Sequence, residues 1–585
     1  MKRLVSLLLV ALVPLLAVVP LRDALSRGQI AGAGPDVVTT LWTMWWFQQE
    51  WAGAAWGGHS TLFNFPFGGS GAILSPITAV TWAILEPLVG IGPAATLTAL
   101  SQLIGFVGGV MLLARTLGLS RIAQVAAGIA VMGHRYLFFA VGETSVVGIT
   151  ALPLVFGLIG LVKLLGGDLS WRWRLLVAVC VPLQALENPY LAPVLPGLLA
   201  LMVLLPRQER PRRVALGSAL LVGVVGVALT GLLHAGATSS AYESARPYGT
   251  VGPGSLQWAV IERPWSRAGL GAMLWPVETR WSTSAQESIH AAGREYLGLT
   301  GLLLAGLAAA VRPRSALPWI GLAVVGIALA TGSDWLGLPG PFALLNTITI
   351  RLVRGLTQPT RYLMLAAIGL PIAAGIGAGL LWERRRLLGG VAVGLLLLDA
   401  TTLGGLSLRL PSMSLPGGDC VESLQDTDGA VLVWPWDGID DIDMDATLHS
   451  RLFQLRHGRP GATVGTGSWP LVGGVFPGHV LRELGWSKAI EGKGKLDVQT
   501  LADWGFRHVV LDTSVPDPQQ EAAMRTFRRT GIVTECDGAR IFSLPDPTPG
   551  AGPPAEHPSA GFVPQLSPEH VPDWDQTGVR GEVHQ

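Results

Sequence analysis

Apolar runs about as long as a bilayer-spanning helix recur along this sequence; two of them lie at 213–235 and 296–311. An α-helix needs about 20 mostly apolar residues to cross the hydrocarbon core of a membrane. Hydrophobic residues make up 50% of the 585-residue chain and charged residues 14%, whereas a soluble domain carries about 25% charged residues. The sequence therefore predicts a polytopic membrane protein. The 41 basic and 40 acidic residues nearly cancel, so the net charge does not favour nucleic acid as a partner.

The hydropathy pattern predicts about 11 membrane-spanning helices. The first follows Lys2 and Arg3 and is interpreted as an uncleaved helix, because no clear cleavage site precedes the polar Arg22 and further spans follow. The predicted spans are 4–21, 94–114, 122–139, 145–165, 174–187, 190–206, 213–235, 296–311, 316–332, 361–382 and 387–404.

Lys and Arg cluster in alternate gaps between these spans. Basic loops stay on the cytoplasmic side during insertion, so the pattern predicts a cytoplasmic N-terminus. Loops 22–93 and 236–295 and the segment after 404 are then extracytoplasmic. The basic clusters are Arg115 and Arg121; Lys163, Arg172 and Arg174; Arg207, Arg210, Arg212 and Arg213; Arg312 and Arg314; and Arg384, Arg385 and Arg386.

Residues 73–91 are apolar enough to be a further span, but counting them would place every basic cluster on the wrong side. Pro76, Glu86 and Pro87 interrupt the run, so we expect a helix that lies in the outer leaflet or re-enters it. The alternative is a true span, with boundaries misplaced elsewhere. Tryptophans flanking the predicted spans, such as Trp42, Trp45 and Trp46, are interpreted as interfacial anchors.

After residue 404 the charge density rises, and short β-rich runs occur at Val431–Trp434, His508–Leu511 and Ile541–Leu544. A helical pattern at 517–530 separates the last two runs. Residues 405–545 are therefore predicted to form an extracytoplasmic α/β domain, and the Pro- and Gly-rich residues 546–585 a disordered tail. Cys420 and Cys536 both fall in this domain, where an oxidising compartment would permit a bridge. Spacing alone does not establish it, and the three cysteines form no zinc motif.

Ionisable residues at membrane depth are costly and are treated as functional candidates. Four lie in the outer half: Asp36, Glu143, Glu187 and Asp399. Asp36 follows a Gly-Pro turn near the start of a predicted interfacial helix, so capping of that helix is the structural alternative. Glu187 precedes Asn188 and Pro189, where a helix must break, and capping is the first interpretation there.

Several stretches resemble the GT-C superfamily of polytopic glycosyltransferases, in particular the bacterial enzymes that use polyprenyl-phosphate sugars. These are the first span, the long external loop that opens with the isolated Asp36, and the Trp-rich stretch that precedes LFNFPFGGSG. The stretch RLVRGLTQPTRYLMLA resembles an R-x-P-x-R-[YF] segment of several members. LFQLRHGRPGATVG and LADWGFRHVVLD resemble their soluble tail domain. The resemblance implies an all-α membrane domain over 1–404, followed by the α/β domain, in the bacterial inner (plasma) membrane of the cell envelope.

The resemblance also implies roles for residues. Asp36 would be the catalytic base of a hexosyl- or pentosyltransferase, and Arg351, Arg354 and Arg361 would bind the phosphate of a polyprenyl-phosphate sugar donor. The acceptor would be an extracytoplasmic glycan, lipid or protein. Glu143 would orient the acceptor or help to hold a divalent cation, Mg²⁺ or Mn²⁺; no cofactor is established.

Alternatives remain open for these residues and for the whole chain. The arginines could contact anionic membrane lipids instead, and Glu143 could pair internally with His134 or Arg135. A lipid or glycan transporter is disfavoured because 94–235 and 296–404 show no repeat. A non-catalytic envelope-assembly protein with a GT-C-like fold is the other rival.

Overall fold

The computed structural model describes residues 10–33, 35–51, 59–60, 62, 69–70, 75–144, 150–204, 209–245, 296–330, 334–335, 338–339, 359–434, 444–461, 498–513, 527, 533–536 and 538–552. Within these ranges a helical part is followed by an α/β domain, so the predicted fold class is confirmed.

Among the described residues, the first helical element is a 3-10 helix, Val13–Leu21. Three helices then fall within the predicted loop 22–93, and the helices after residue 90 lie close to the predicted spans. The helices are α1 (Arg22–Arg27), α2 (Pro35–Gln49), α3 (Pro76–Val89), α4 (Ile91–Thr116), α5 (Arg121–Gly133), α6 (Arg135–Phe139), α7 (Leu152–Leu165), α8 (Trp171–Glu187), α9 (Val194–Leu204), α10 (Arg210–Ala245), α11 (Leu299–Val311), α12 (Pro313–Ala330), α13 (Leu363–Arg384) and α14 (Arg386–Thr402).

Membrane-spanning length is met by four helical stretches of the described residues: Ile91–Thr116, Arg210–Leu229, Pro313–Ala330 and Thr360–Arg384. The pair α5 and α6, bent by 56°, makes a fifth if it is one span. Because several apolar helices are shorter, the count of about 11 spans stays a prediction. The chain is nevertheless a multi-pass membrane protein.

Four of the five predicted basic gaps coincide with tight turns between neighbouring helices, whereas the fifth includes residues 205–208, which lie outside the described residues. Arg312 lies in the turn from α11 to α12, and its guanidinium is 2.5 Å from the carboxylate of Glu383 near the end of α13. The turns from α4 to α5, α7 to α8 and α13 to α14 also follow basic residues. Because each helix reverses direction, all these turns lie at one end of the bundle. The first loop and the C-terminal domain lie at the opposite end.

Helix α13 occupies the centre of the bundle, and its residues Leu363–Leu380 are all buried. A Cβ at Gly369 would collide with the carbonyl oxygen of Trp319 in α12, and one at Gly377 with that of Leu304 in α11. Small residues let helix backbones approach closely where apolar surface alone provides no driving force. The glycines of α13 therefore allow its neighbours to pack directly against its backbone.

Helix α3, within 73–91, has 14 residues and is about 21 Å long, which is less than the ~30 Å hydrocarbon core. Its exposed residues include the apolar Ile84 and Leu88, at 62% and 74% exposure, whereas Trp82 is completely buried. Gly90, with φ +80°, then turns the chain directly into α4. These features fit a short helix that offers an apolar face to lipid without crossing the membrane.

The described residues before the C-terminal sheet contain short two-residue strands: β1 (Ile30–Ala31), β2 (His59–Ser60), β3 (Gly69–Ser70), β4 (Asp334–Trp335), β5 (Leu338–Pro339) and β6 (Ser412–Met413). The C-terminal domain is built on a four-stranded mixed sheet. Three strands coincide with the predicted β-rich runs, whereas the predicted helix at 517–530 lies outside the described residues except for Phe527. The strands of this sheet are β7 (Ala430–Trp434), β8 (Phe506–Asp512), β9 (Val533–Cys536) and β10 (Ala539–Ser543), and the helices are α15 (Gly418–Glu422), α16 (Met444–His457) and α17 (Val498–Asp503). The strand order across the sheet is β7-β8-β10-β9.

Cys420 and Cys536 form a disulfide, with their Cα atoms 6.2 Å apart. This separation lies within the usual range for a bridge. The bond joins α15 to the edge strand β9. Beyond the sheet, the backbone N–H of Thr548 donates to Asp503, and residues 553–585 lie outside the described residues.

A buried histidine makes the stability of the C-terminal domain depend on pH. His457 is completely buried at the end of α16, and its Nδ1 accepts a hydrogen bond from the backbone N–H of Arg459. Burial, with Arg459 and His508 adding repulsion, lowers the pKa of His457 to about 3. The unfolded chain binds a proton near pH 6.5 and the folded domain does not, so stability falls as the pH drops below 6.5.

We expect the free energy of unfolding of this domain to fall by about 2 kcal/mol between pH 6.5 and pH 5. The measurement is the urea midpoint of the domain in the full-length protein at a series of pH values. His457→Gln should flatten this dependence, since it removes the titrating group. An unchanged slope in that variant would assign the pH dependence to other groups.

Candidate functional site

The candidate site is built around the start of helix α2. Asp36 is the second residue of this helix, after Pro35 at its first position. Proline favours the first helical position because its fixed φ suits the helix and its missing N–H is not needed there. An acidic residue in the first turn meets the positive end of the helix dipole. The backbone of Asp36 is described, but its side chain lies outside the described atoms.

The segment before α2 is tied to two other parts of the chain. The backbone N–H of Gly32 donates to the carbonyl oxygen of Pro411 at 2.7 Å, and that of Ala33 donates to the carbonyl oxygen of Gly142 at 3.0 Å. A Cβ at Gly32 would lie 2.8 Å and 2.9 Å from the carbonyl oxygens of Val141 and Gly142, and its φ of +97° is one that other residues rarely adopt. Only glycine permits this approach.

Glu143 lies in the turn that Ala33 contacts. Helix α5 breaks at His134, α6 follows, and the chain then forms a π-helical turn, Ala140–Thr144. Such turns are rare and occur frequently at functional sites. Because α2 packs against this turn, the backbones that carry Asp36 and Glu143 are neighbours. The side chain of Glu143, and therefore any pairing with His134 or Arg135, lies outside the described atoms; Arg135 Nε donates to the carbonyl oxygen of Leu403.

Of the three predicted phosphate-binding arginines, the structure describes Arg361, whereas Arg351 and Arg354 lie outside the described residues. Arg361 is 5% exposed, just before α13, and its Cζ lies 4.7 Å from the centroid of the Tyr190 ring. A buried guanidinium is costly unless it is paired or stacked, and stacking on an aromatic face supplies part of the compensation. Its burial argues against contact between this residue and lipid headgroups.

Glu187 caps a helix, but the helix is α3 and not the break that follows Glu187 in the sequence. Its carboxylate accepts hydrogen bonds from the backbone N–H of Ile77 and, at 3.2 Å, from the hydroxyl of Thr78, both in the first turn of α3. Its carbonyl oxygen accepts a further bond from Thr150 at 2.9 Å. Glu187 therefore joins α8 to α3, and its carboxylate has a structural role as the cap of α3.

Asp399 is also a structural carboxylate. It accepts hydrogen bonds from the hydroxyl of Tyr296 and, at 2.7 Å, from the backbone N–H of Thr300, at the start of α11. An acidic side chain at this position satisfies a free backbone donor and meets the positive end of the dipole. Asp399 thus joins α14 to α11.

The C-terminal domain contributes contacts that sequence reasoning missed. Trp42 Nε1 donates to Gln454 Oε1 at 2.8 Å, and Arg451 Nη1 donates to Thr39 Oγ1 at 2.6 Å. Trp42 is 4% exposed, and Trp45 is buried as well. The interpretation of these tryptophans as interfacial anchors is therefore wrong, since α16 covers this face of α2. Residues 412 positions apart leave no local sequence signal of such a contact.

Within the described side chains, no group of three or more His, Cys, Asp or Glu could hold a metal ion. The carboxylates of Asp36 and Glu143 lie outside the described side chains. The described fold defines a multi-pass membrane protein whose first loop and α/β domain pack together at one end of the bundle.

Comparison with known proteins finds similarity among the solved structures. No family model matches the chain, and no curated protein does. Among solved structures, the chain is similar to the crystal structure of ArnT from Cupriavidus metallidurans bound to undecaprenyl phosphate. The alignment covers 94% of this chain and 99% of that one, with a TM-score of 0.41 and 14% sequence identity.

Proposed function

We propose that this protein is a GT-C-type glycosyltransferase of the bacterial plasma membrane. It would move a sugar from a polyprenyl-phosphate carrier to an extracytoplasmic glycan, lipid or protein. The observation that supports this most directly is the hydrogen bond between Ala33 and Gly142, which makes the turns bearing Asp36 and Glu143 neighbours. The sequence resemblance singled out these two acidic residues from distant parts of the chain.

The proposed reaction is a direct displacement at the anomeric carbon of the sugar. The acceptor oxygen forms a bond to that carbon while the bond to the phosphate oxygen breaks, and the polyprenyl phosphate leaves with the electron pair. Asp36 takes the proton from the acceptor hydroxyl, and a single such carboxylate suffices for inversion. Glu143 would orient the acceptor or, as the open alternative, help to hold Mg²⁺ or Mn²⁺.

Arginine side chains are suited to stabilise the phosphate as it leaves. A guanidinium donates paired hydrogen bonds to phosphate oxygens, and these are stronger where water is excluded. Arg361 is buried just before α13, where its guanidinium stacks on the ring of Tyr190. Arg351 and Arg354 complete the proposed clamp.

The proposed topology places this end of the bundle outside the cytoplasm. The basic turns lie at the other end, which favours a cytoplasmic N-terminus. The Cys420–Cys536 bridge supports the same orientation, because disulfides persist in oxidising compartments. These observations support a donor bound from the outer leaflet.

The clamp proposal predicts that Arg361→Met weakens binding of undecaprenyl phosphate by about 10- to 100-fold, as expected for the loss of a charge-assisted hydrogen bond. The measurement is a titration of the full-length protein in nanodiscs with radiolabelled undecaprenyl phosphate. Arg361→Lys should give an intermediate loss, because it keeps the charge but not the planar fork.

Arg384→Met is the matched control, since Arg384 is exposed at the opposite end of the same helix. Binding should remain within about twofold of the parent for this variant. Excess phosphatidylglycerol as competitor separates a specific site from general attraction to anionic lipid. Equal losses in Arg361→Met and Arg384→Met, with both proteins folded, would rule out Arg361 as a phosphate ligand.

A further inference from the structure

Helix α16 of the C-terminal domain lies directly on helix α2 of the first loop. Arg451 is 2% exposed and donates from Nη1 to Thr39 Oγ1, and its Cζ lies 5.7 Å from the centroid of the Trp42 ring. The hydrogen bond and the cation–π contact therefore reach two positions of the same helix from one guanidinium. Both contacts are shielded from water, and charge-assisted contacts are stronger where water is excluded.

Thr39 lies three residues after Asp36, so the two belong to adjacent positions on one face of the helix. A hydrogen bond to Thr39 consequently restrains the turn that carries Asp36. A shift of about 1 Å in a catalytic group can cost 10²-fold in rate, so even a weak restraint on this turn matters for transfer.

Gln454 forms a second link, one helical turn further along α16. It is completely buried, its Oε1 accepts from Trp42 Nε1, and its Nε2 donates to the carbonyl oxygen of Leu62 in the same external loop. The backbone N–H of Gly461 donates to that same carbonyl oxygen at 3.2 Å. The C-terminal domain therefore contacts the first loop at two places, in α2 and at Leu62.

The far end of α2 is held separately. Trp82 Nε1 donates to Gln48 Oε1 at 3.1 Å, and Gln48 Nε2 donates to Glu86 at 3.1 Å, which connects α2 to α3. The helix is thus fixed at its end by the first loop itself and near its start by the C-terminal domain. Only the second of these contacts lies beside the Asp36 turn.

We infer that Arg451 is a positioning residue: through its contacts with Thr39 and Trp42 it fixes the position of the Asp36 turn. The α/β domain therefore contributes to the geometry of the candidate site in the membrane part. The catalytic consequence rests on the proposed function of Asp36. The structural coupling between the two segments does not.

The test is hydrogen–deuterium exchange of the full-length protein in nanodiscs. Arg451→Met keeps the apolar stem but removes the guanidinium, and the backbone amides of Val37–Thr43 should then exchange about tenfold faster. Exchange in β7 and β8 should not change, since the domain stays folded. Thr39→Val should reproduce the effect from the other side, and the double variant should be no faster than either single variant.

Arg456→Met is the matched control. Arg456 lies on the same helix, but its guanidinium contacts the carbonyl oxygen of Leu415 at 3.4 Å and the carboxylate of Glu422 at 3.3 Å, both outside the first loop. This variant should leave exchange in Val37–Thr43 unchanged. Unchanged exchange there in Arg451→Met, or an equal increase in Arg456→Met, would overturn the inference.

A kinetic measurement separates positioning from binding. In a transfer assay, Arg451→Met should lower kcat by about tenfold or more and leave the KM for the donor within about twofold. If the parent protein shows no transfer with any donor while the exchange result holds, the coupling stands and the proposed function fails. If transfer is observed but exchange in Val37–Thr43 does not change in Arg451→Met, the proposed function stands and the coupling fails.

Discussion

Asp36→Asn is expected to lower sugar transfer by about 10³-fold, to the background of the assay. An amide has nearly the shape of a carboxylate but cannot take the proton of the acceptor hydroxyl, and loss of a general base typically costs 10²- to 10⁴-fold. A factor of 10³ corresponds to about 4 kcal/mol of transition-state stabilisation. Asparagine is also well tolerated near a helix start, so protein abundance should not change.

The assay uses the full-length protein in proteoliposomes, undecaprenyl-phosphate-linked hexoses and pentoses as donors, and envelope extract as the source of acceptors. Release of undecaprenyl phosphate is measured by mass spectrometry. Binding of undecaprenyl phosphate by Asp36→Asn should stay within about twofold of the parent, because the change removes proton transfer rather than phosphate contacts.

Asp23→Asn is the matched control on the same loop. Among the described residues, the Asp23 carboxylate forms a long ion pair with Arg22, at 3.7 Å, and its side chain is 44% exposed. Its neutralisation should therefore alter transfer by less than about twofold. Transfer by Asp36→Asn above a tenth of the parent rate would exclude Asp36 as the base. Absence of transfer by the parent with every donor would favour a non-catalytic envelope-assembly protein.

The helices and strands could be predicted because their signals are local. A long apolar run specifies a membrane helix wherever it occurs, which is why the spans near 94–114 and 361–382 correspond to α4 and α13. The β-rich run before Trp434 likewise became a strand. The predicted turns agree for the same reason, since basic residues and glycine or proline mark the places where an apolar run ends.

The contacts that assemble the candidate site could not be predicted in the same way. The hydrogen bond from Ala33 to Gly142 joins two backbones, and side-chain patterns do not record such a bond. Arg451 and Thr39 are 412 positions apart in the sequence, so no local pattern indicates their contact. Trp42 shows a further limit. An indole is suited equally to a membrane interface and to a buried hydrogen-bonded position, so composition alone could not distinguish them.

The four candidate carboxylates include both capping residues and proposed catalytic residues, and the sequence does not separate the two kinds. The cost of burying a charge singled out Asp36, Glu143, Glu187 and Asp399 alike. The described structure compensates this cost for Glu187 and Asp399 with the free N–H groups of a neighbouring helix. Distinguishing a capping carboxylate from a catalytic one thus requires knowing which helix begins beside it, and that is a property of the tertiary structure.

Removal of the Cys420–Cys536 bridge is expected to destabilise the C-terminal domain by about 2–5 kcal/mol. The two cysteines are separated by 116 positions, and a bridge that closes a long loop lowers the entropy of the unfolded chain strongly. The paired change Cys420→Ala and Cys536→Ala should lower the urea midpoint of the domain by about 1–3 M. Dithiothreitol should produce a similar decrease in the parent and none in the variant.

Cys180→Ala is the matched control, because Cys180 is the free, buried cysteine of α8 and takes no part in the bridge. Its domain midpoint should equal that of the parent. The bridge also reports topology: in isolated membranes denatured without reductant, a maleimide reagent should label Cys180 alone. Labelling of Cys420 and Cys536 under those conditions would mean that the domain was never exposed to an oxidising compartment. The donor could then not be used from the outer leaflet, because the first loop is bound to that same domain through Trp42 and Gln454.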